Sequence, residues 1–183
     1  MEVLDGARRV ELPSGRGRSL FALLTLHAGE PVAAERLIDE LWGGDPPTTA
    51  ATVVQGLVSR LRKALEPERS TGEPPHVLQT AGNAYCLAVD PDSVDATRFK
   101  RLLDEARGGS LEGRAAKLSA ALALWRGPAL ADFIYEPFAQ RAIVVLEEYR
   151  IEAIEDRFEA ELALGLDAQL VGGLHEAIAR YPF

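Results

Sequence analysis

TTAATVVQGLVSRLRKAL, residues Thr48–Leu65, carries Arg60, Arg62 and Lys63 and no acid, in a chain of 183 residues whose formal net charge is −8. Wound at 3.6 residues per turn, it divides into two halves. Thr48, Thr52, Gln55, Gly56, Ser59, Arg60, Arg62 and Lys63 fall on one half, and Ala50, Val53, Val54, Leu57, Val58, Leu61, Ala64 and Leu65 on the other. A basic face of hydroxyls and amides with an aliphatic back can lie in a DNA major groove. Arginine meets guanine edges, glutamine meets adenine, and serine, threonine and lysine hold phosphates. Taken alone, the same pattern fits an ordinary amphipathic surface helix, so the flanks have to discriminate.

Upstream, Ala34–Trp42 reads as a helix with Leu37, Ile38, Leu41 and Trp42 inward and Gly43-Gly44 as its stop. Asp45-Pro46-Pro47 makes a stiff loop, after which Thr48 or Thr49 can cap the basic helix. Further back, Ser19–His27 reads as a helix with Leu20, Leu23, Leu24 and His27 on one face and Gly29 as its stop, and Pro31-Val32 as a short link. At the start, Val3-Leu4 and Val10-Glu11-Leu12 flank Asp5-Gly6, a hairpin signal. Downstream, the basic helix stops by Pro67, and Glu68–Pro75 reads as a mobile polar loop. His76–Val89 then holds two strand-prone runs, around Val77-Leu78 and Tyr85-Cys86-Leu87, with a tip at Ala81-Gly82-Asn83-Ala84 where glycine and asparagine tolerate positive φ. Strands, helix, helix, loop, basic helix, hairpin is the order of a winged helix-turn-helix with an N-terminal sheet. The second helix packs across the third, and the last hairpin is the wing.

Near Asp90–Ser93 the chain changes character and becomes helical almost throughout. Asp95 can cap a helix through Arg107, with Phe99, Leu102, Leu103 and Ala106 inward and Gly108-Gly109 as its end. Leu111–Trp125 repeats the pattern with Ala115, Leu118, Leu122 and Trp125, and Arg126-Gly127-Pro128 stops it. Pro137 suits a first helical turn. From there Phe138, Ala142, Val145, Leu146, Tyr149, Ala153, Ile154, Phe158 and Leu162 step by three and four to about Gly165, and a last helix is expected over 168–180. Antiparallel helices with short joints are the pattern of a TPR-like helical repeat. The expected fold class is therefore an α+β winged helix-turn-helix over 1–90 followed by an all-α TPR-like domain over 91–183. The proline near the end leads us to expect further helices beyond it.

Composition narrows the function classes. Residues 1–90 hold nine basic and twelve acidic residues, net −3, and residues 91–183 hold eleven and sixteen, net −5. Neither half is basic, which argues against a nonspecific nucleic-acid coat and leaves a local patch as the DNA-binding device. One cysteine excludes an intramolecular disulfide framework and points to a reducing cytoplasm. The apolar runs fall short of the roughly 18 residues of a membrane span. His27, His76 and His175 lie apart without metal-ligand spacing, no phosphate-binding glycine motif occurs, and nothing assembles a nucleophilic triad. No cofactor, metal or catalytic residue is expected. Trp42 and Trp125 read as core aromatics, and Glu147-Glu148 with Glu152, Glu155, Asp156 and Glu159 as a solvated helix face.

Leu41-Trp42, Asp45-Pro46-Pro47, Gln55 and Val58-Ser59-Arg60-Leu61-Arg62-Lys63-Ala64-Leu65 together resemble the DNA-binding domain of the SARP family, antibiotic-pathway activators with an OmpR-type winged helix. Independently, Leu124-Trp125-Arg126-Gly127-Pro128-Ala129-Leu130-Ala131-Asp132, followed by Glu136-Pro137-Phe138-Ala139, looks like the bacterial transcriptional activator domain that follows it in that family. The resemblance implies that the basic helix enters the major groove while the wing approaches the adjacent backbone or minor groove. Protomers are implied to sit side by side on promoter direct repeats and to recruit RNA polymerase through its sigma factor. By the same resemblance Gly43, Gly44, Asp45, Pro46 and Pro47 form a polymerase-contact loop. The family's sheet usually begins one strand earlier and its activator domain usually runs on for several helices.

The resulting site expectation is Thr48, Thr49, Thr52, Gln55, Ser59, Arg60, Arg62 and Lys63 on the recognition helix. Asn83 and Tyr85 on the wing, and Arg16 and Arg18 before the first helix, are weaker contacts. A competing reading makes the chain a protein-interaction module, with the helical half as a scaffold for a partner.

Overall fold

The structure, a computed structural model, describes residues 1–165, and the helix expected over 168–180 lies outside them. The chain forms two compact units. The first comprises Met1–Val94 together with Leu130–Ile143, and the second comprises, among the described residues, Asp95–Ala129 and residues 144–165.

In the first unit, β1 (Leu4–Asp5) and β2 (Arg8–Arg9) form a small antiparallel hairpin where one was expected, but the second strand lies on Arg8–Arg9 and not on Val10-Glu11-Leu12, with Leu4 opposite Arg9 and Asp5 opposite Arg8. Gly6 takes the turn at φ +59°, and the Val10 N–H donates to the Val3 carbonyl to extend the pair (2.9 Å). Helix α1 runs Arg16–Leu26 and so begins three residues before the expected Ser19. Gly15, at φ +57°, bends the chain so that its carbonyl already accepts from the Arg18 N–H (2.9 Å). Arg16 and Arg18 therefore belong to the first turn of the helix and not to the segment ahead of it.

Pro31-Val32, expected as a link, leads into a strand, β3 (Val32–Ala33). Two residues are too short for any alternation to show in sequence. Helix α2 spans Ala34–Trp42 as expected and closes on Gly43 in the left-handed region, whose N–H donates to the Asp39 carbonyl (2.8 Å). Helix α3 spans Ala50–Leu65. The expected threonine cap does not form: Thr49 occupies the N-cap position at φ −92°, ψ 5°, and its side chain makes no capping bond. An N-cap side chain reaches the free N–H groups from an extended backbone, which Thr49 does not have.

The hairpin that follows pairs β4 (Leu78–Ala81) with β5 (Ala84–Leu87), and only Gly82-Asn83 connects them. β5 is the central strand of a three-stranded antiparallel sheet, in the order β3-β5-β4, with Val32 opposite Tyr85. The core of this unit is aliphatic: Leu20, Leu23 and Leu24 of α1, Leu37 and Leu41 of α2, Val54, Leu57, Val58 and Leu61 of α3, and Leu78 and Leu87 of the sheet are all buried. Phe133, Phe138 and Ala139 complete it from a distant part of the sequence, the two phenylalanine rings 5.9 Å apart. Periodicity could not reveal that contribution, because the pattern says which side of a helix is buried and not what it is buried against.

The second unit is built on α4 (Asp95–Ala106) and α5 (Leu111–Leu122), with α6 (Pro137–Ala163) continuing into it from Val144. Asp95 is the first helical residue of α4, and its carboxylate receives Arg126 (2.6 Å). The Ser110 hydroxyl caps α5 by accepting from the Gly113 N–H (3.3 Å). That helix ends at Leu122, three residues before the expected Trp125, in tight turns from Leu124 and Trp125 back to Ala121 and Leu122. Phe99, Leu103, Ala106, Leu118, Ala121 and Ala153 form the core, with Trp125 edge-on to Phe99 at 5.2 Å.

The acidic face expected on α6 is only partly solvated. Arg150 is buried, lies over the Trp125 ring at 4.3 Å and donates to the Gly127 carbonyl, while Glu147 accepts from the Ala129 N–H (2.7 Å) and pairs with Arg150. Asp156 and Glu159 both pair with Arg114. The Trp-Arg-Gly-Pro-Ala segment is thus held in its turn by a buried cation and its carboxylate, which is what a tight non-helical turn over an aromatic ring needs for its exposed peptide groups.

Candidate nucleic-acid interface

Helix α3 presents the expected face to solvent. Thr52, Gln55, Gly56, Ser59, Arg60 and Lys63 are exposed, while Ala50, Val54, Leu57, Val58 and Leu61 are buried against α1, α2 and the sheet. Among the described residues, the side chains of Arg60 and Lys63 have no ion-pair or hydrogen-bond partner, so two cations stand free on a helix without an acid. Thr48 and Thr49 are exposed immediately ahead of it.

Arg62 is placed differently. It is half-buried, its Nε donates to the Leu78 carbonyl (2.8 Å), and its guanidinium donates to the Thr80 hydroxyl (2.7 Å). Burial lowers its pKa, with Tyr85 acting in the opposite direction. It remains a cation, as arginine does in proteins. Both acceptors lie on β4, so Arg62 is a strut from α3 to the hairpin. Sequence periodicity put it on the polar half, correctly, but could not show that the hairpin's backbone waits there.

The weaker sequence candidates also find partners inside the unit. The Arg16 guanidinium stacks on Trp42 at 4.8 Å. Arg18 pairs with Asp132 (2.7 Å) and donates to the Met1 carbonyl. The same Asp132 carboxylate also receives the N-terminal amine, and that hydrogen bond is the leading cause that holds its pKa below the usual carboxylate value. Asn83, at the hairpin tip, lies 3.3 Å from a Glu35 carboxylate oxygen, and its carbonyl accepts from the Ala34 N–H (2.9 Å), which ties the tip to the start of α2. Tyr85 is half-buried against the core. Gly43, Gly44, Asp45, Pro46 and Pro47 are exposed from end to end, with Gly43 and Gly44 at φ +64° and +93°.

Two residues of the arrangement escaped sequence reading: Thr80 holds Arg62 and Asp132 holds Arg18. Both are recognisable only once distant segments meet. Among the described residues there is no group of three or more His, Cys, Asp or Glu placed to hold a metal, and no helix long and apolar enough to cross a membrane.

A three-helix unit whose exposed third helix carries free cations, joined by an arginine strut to a two-residue-tipped hairpin, defines a protein of the winged helix-turn-helix class. Comparison with known proteins agrees over nearly the whole chain. Residues 8–87 match the family described as "Transcriptional regulatory protein, C terminal", and residues 94–183 match the "Bacterial transcriptional activator domain". The chain belongs to the SARP family of transcriptional regulators, which join these two domains in this order. It is 36% identical over 178 residues to the transcriptional regulator RedD of Streptomyces coelicolor, covering 92% of this chain and 49% of RedD. Against the regulatory protein DnrI of Streptomyces peucetius it is 36% identical over 172 residues, covering 90% of this chain and 63% of DnrI. The chain thus spans about half of RedD and less than two-thirds of DnrI. A solved structure of Mycobacterium tuberculosis EmbR in complex with a low-affinity phosphopeptide superimposes with TM-score 0.84 at 30% identity, over 96% of this chain and 47% of that one.

Proposed function

We propose that this chain is a sequence-specific DNA-binding transcription activator working in the cytoplasm. The carrying observation is the acid-free exposed face of α3, with Arg60 and Lys63 unpaired in a chain of net charge −8. On this reading α3 lies in the major groove. Thr52, Gln55, Ser59 and Arg60 face base edges, while Thr48, Thr49 and Lys63 serve phosphates. The β4–β5 hairpin follows the adjacent backbone or minor groove, at a position that Arg62 sets. Domain limits of 1–90 and 91–183 accompany this division of labour. Two protomers side by side on promoter direct repeats, the Gly43–Pro47 loop against RNA polymerase and its sigma factor, and control of a secondary-metabolite pathway are the further parts of the proposal, supported by membership of the SARP family. With the rest of the surface acidic, one protomer binds modestly and pairing supplies tight occupancy.

The test is duplex binding as a function of salt. With roughly 5–8 phosphate contacts per protomer, log K falls with log salt at about −0.9 per contact. Arg60→Ala and Lys63→Ala each weaken binding, and a residue on a phosphate flattens the slope by about one. No retardation of any duplex at micromolar protein and low salt would overturn the reading in favour of a partner-binding module.

A further inference from the structure

We propose that Gly56 is a clearance residue of the recognition helix: it lets the α3 backbone approach the DNA more closely than any side chain at that position allows. The inference deepens the DNA-binding reading and rests on it.

Glycine is the poorest helix former apart from proline, so a glycine inside a helix needs a reason. Among the described residues, Gly17 has one within the fold, since a Cβ there would stand 2.7 Å from Pro13 Cβ. Gly113 lies in the capped first turn of α5, where its N–H donates to the Ser110 hydroxyl and a Cβ would make only ordinary contact at 3.4 Å. Gly6, Gly15, Gly43, Gly44 and Gly82 supply turns at positive φ. Gly56 has neither reason: its φ is not in the positive range, and a Cβ built there meets nothing within 4 Å. Nothing in the protein itself asks for glycine at this place.

The surroundings point outward. Thr52 and Arg60 lie one helical turn to either side, with Ser59 and Lys63 on the same exposed face. Thr52, Gly56 and Ser59 are all short, and Gln55, Arg60 and Lys63 around them are long. The result is a shallow trough of small side chains rimmed by an amide and two unpaired cations. A flat, anionic, groove-walled surface is what such a trough fits: the small residues let the helix sink while the long ones reach bases and phosphates. An acidic protein partner would meet the cations equally well but would place no such limit on one central Cβ.

The experiment uses the full chain as wild type, Gly56→Ala and Gly56→Leu. The duplex probes are one enriched by the wild type from a randomised pool and one of random sequence. Gly56→Ala is expected to raise the melting temperature by roughly 2–4 °C, since alanine is the better helix former. It is expected to weaken binding to the enriched duplex by about tenfold or more, with Gly56→Leu losing more still. Binding to the random duplex should change by less than about twofold, because no charge is altered. If Gly56→Ala binds the enriched duplex as tightly as the wild type, Gly56 is not a clearance residue while the DNA-binding reading stands. If the wild type itself enriches no sequence and retards no duplex, the DNA-binding reading fails, and this inference with it.

Discussion

Arg62→Ala separates the two cationic roles that α3 combines. The Arg62 side chain makes two hydrogen bonds, to the Leu78 carbonyl and the Thr80 hydroxyl. Thr80 is exposed, so water replaces the guanidinium there at little cost. Leu78 is fully buried, and a charge-assisted bond to its carbonyl contributes about 1.5–3 kcal/mol. The expected loss is therefore about 2 kcal/mol, seen as a fall in melting temperature of roughly 4–8 °C. Arg62→Lys should recover little of it, because an ammonium cannot serve two acceptors in the fork geometry. Arg60→Ala, by contrast, removes an exposed side chain without an internal partner, so its stability change should stay within about 0.5 kcal/mol. Thermal unfolding followed by circular dichroism, run beside duplex binding on the same proteins, reads both effects. Arg60→Ala weakens binding alone, whereas Arg62→Ala loses stability as well. Equal melting temperatures for the two variants would refute the strut and return Arg62 to the set of proposed DNA contacts.

Two further outcomes follow from the packing. Phe133→Ala removes a ring that is 4% exposed in the core of the first unit and should destabilise that unit by about 3–5 kcal/mol, with faster hydrogen exchange in α1. Unchanged protection of α1 would mean that residues 130–143 are dispensable to the winged helix. The pKa of His27 is lowered from the ordinary value of about 6.5 by burial and then by Arg36, outweighing Glu30 and Glu40. The unfolded chain then binds more protons than the folded one in the interval just below that value, so this contribution to stability is complete above about pH 6.5 and is lost as the pH falls toward the folded pKa. His27→Gln should flatten the stability profile over that interval in urea titrations, and an unaltered profile would count against the assignment.

The local architecture was largely legible before any tertiary contact was known. Leu37, Ile38, Leu41 and Trp42 bounded α2 correctly because an amphipathic stripe and a glycine stop sit at its ends. Gly82-Asn83 marked the hairpin tip because so few residues tolerate that turn. The errors share one cause: they occur where a short or special backbone conformation overrides local preference. β3 is two residues long, Thr49 lacks the extended backbone of a cap, and Gly15 starts α1 early by turning the chain into it. On α6, Glu147 looked like one more solvated acid until the buried Arg150 and the Trp125 turn came to lie beside it.

By itself the sequence determined the order of elements, the apolar back of α3 and its acid-free outer face, since periodicity, turn chemistry and charge are properties of neighbouring residues. Only the tertiary structure decided which cations remain free. Arg60 and Lys63 point to solvent, while Arg62 is taken up by β4, Arg18 by Asp132 and Arg16 by Trp42. It also decided that residues 130–143 complete the core of the winged-helix unit. The physical reason is the same in each case. A side chain's charge and size are written in the sequence, but its partner is whatever the fold brings within a few ångströms, and that partner determines whether the residue holds the protein together or remains available to bind something else.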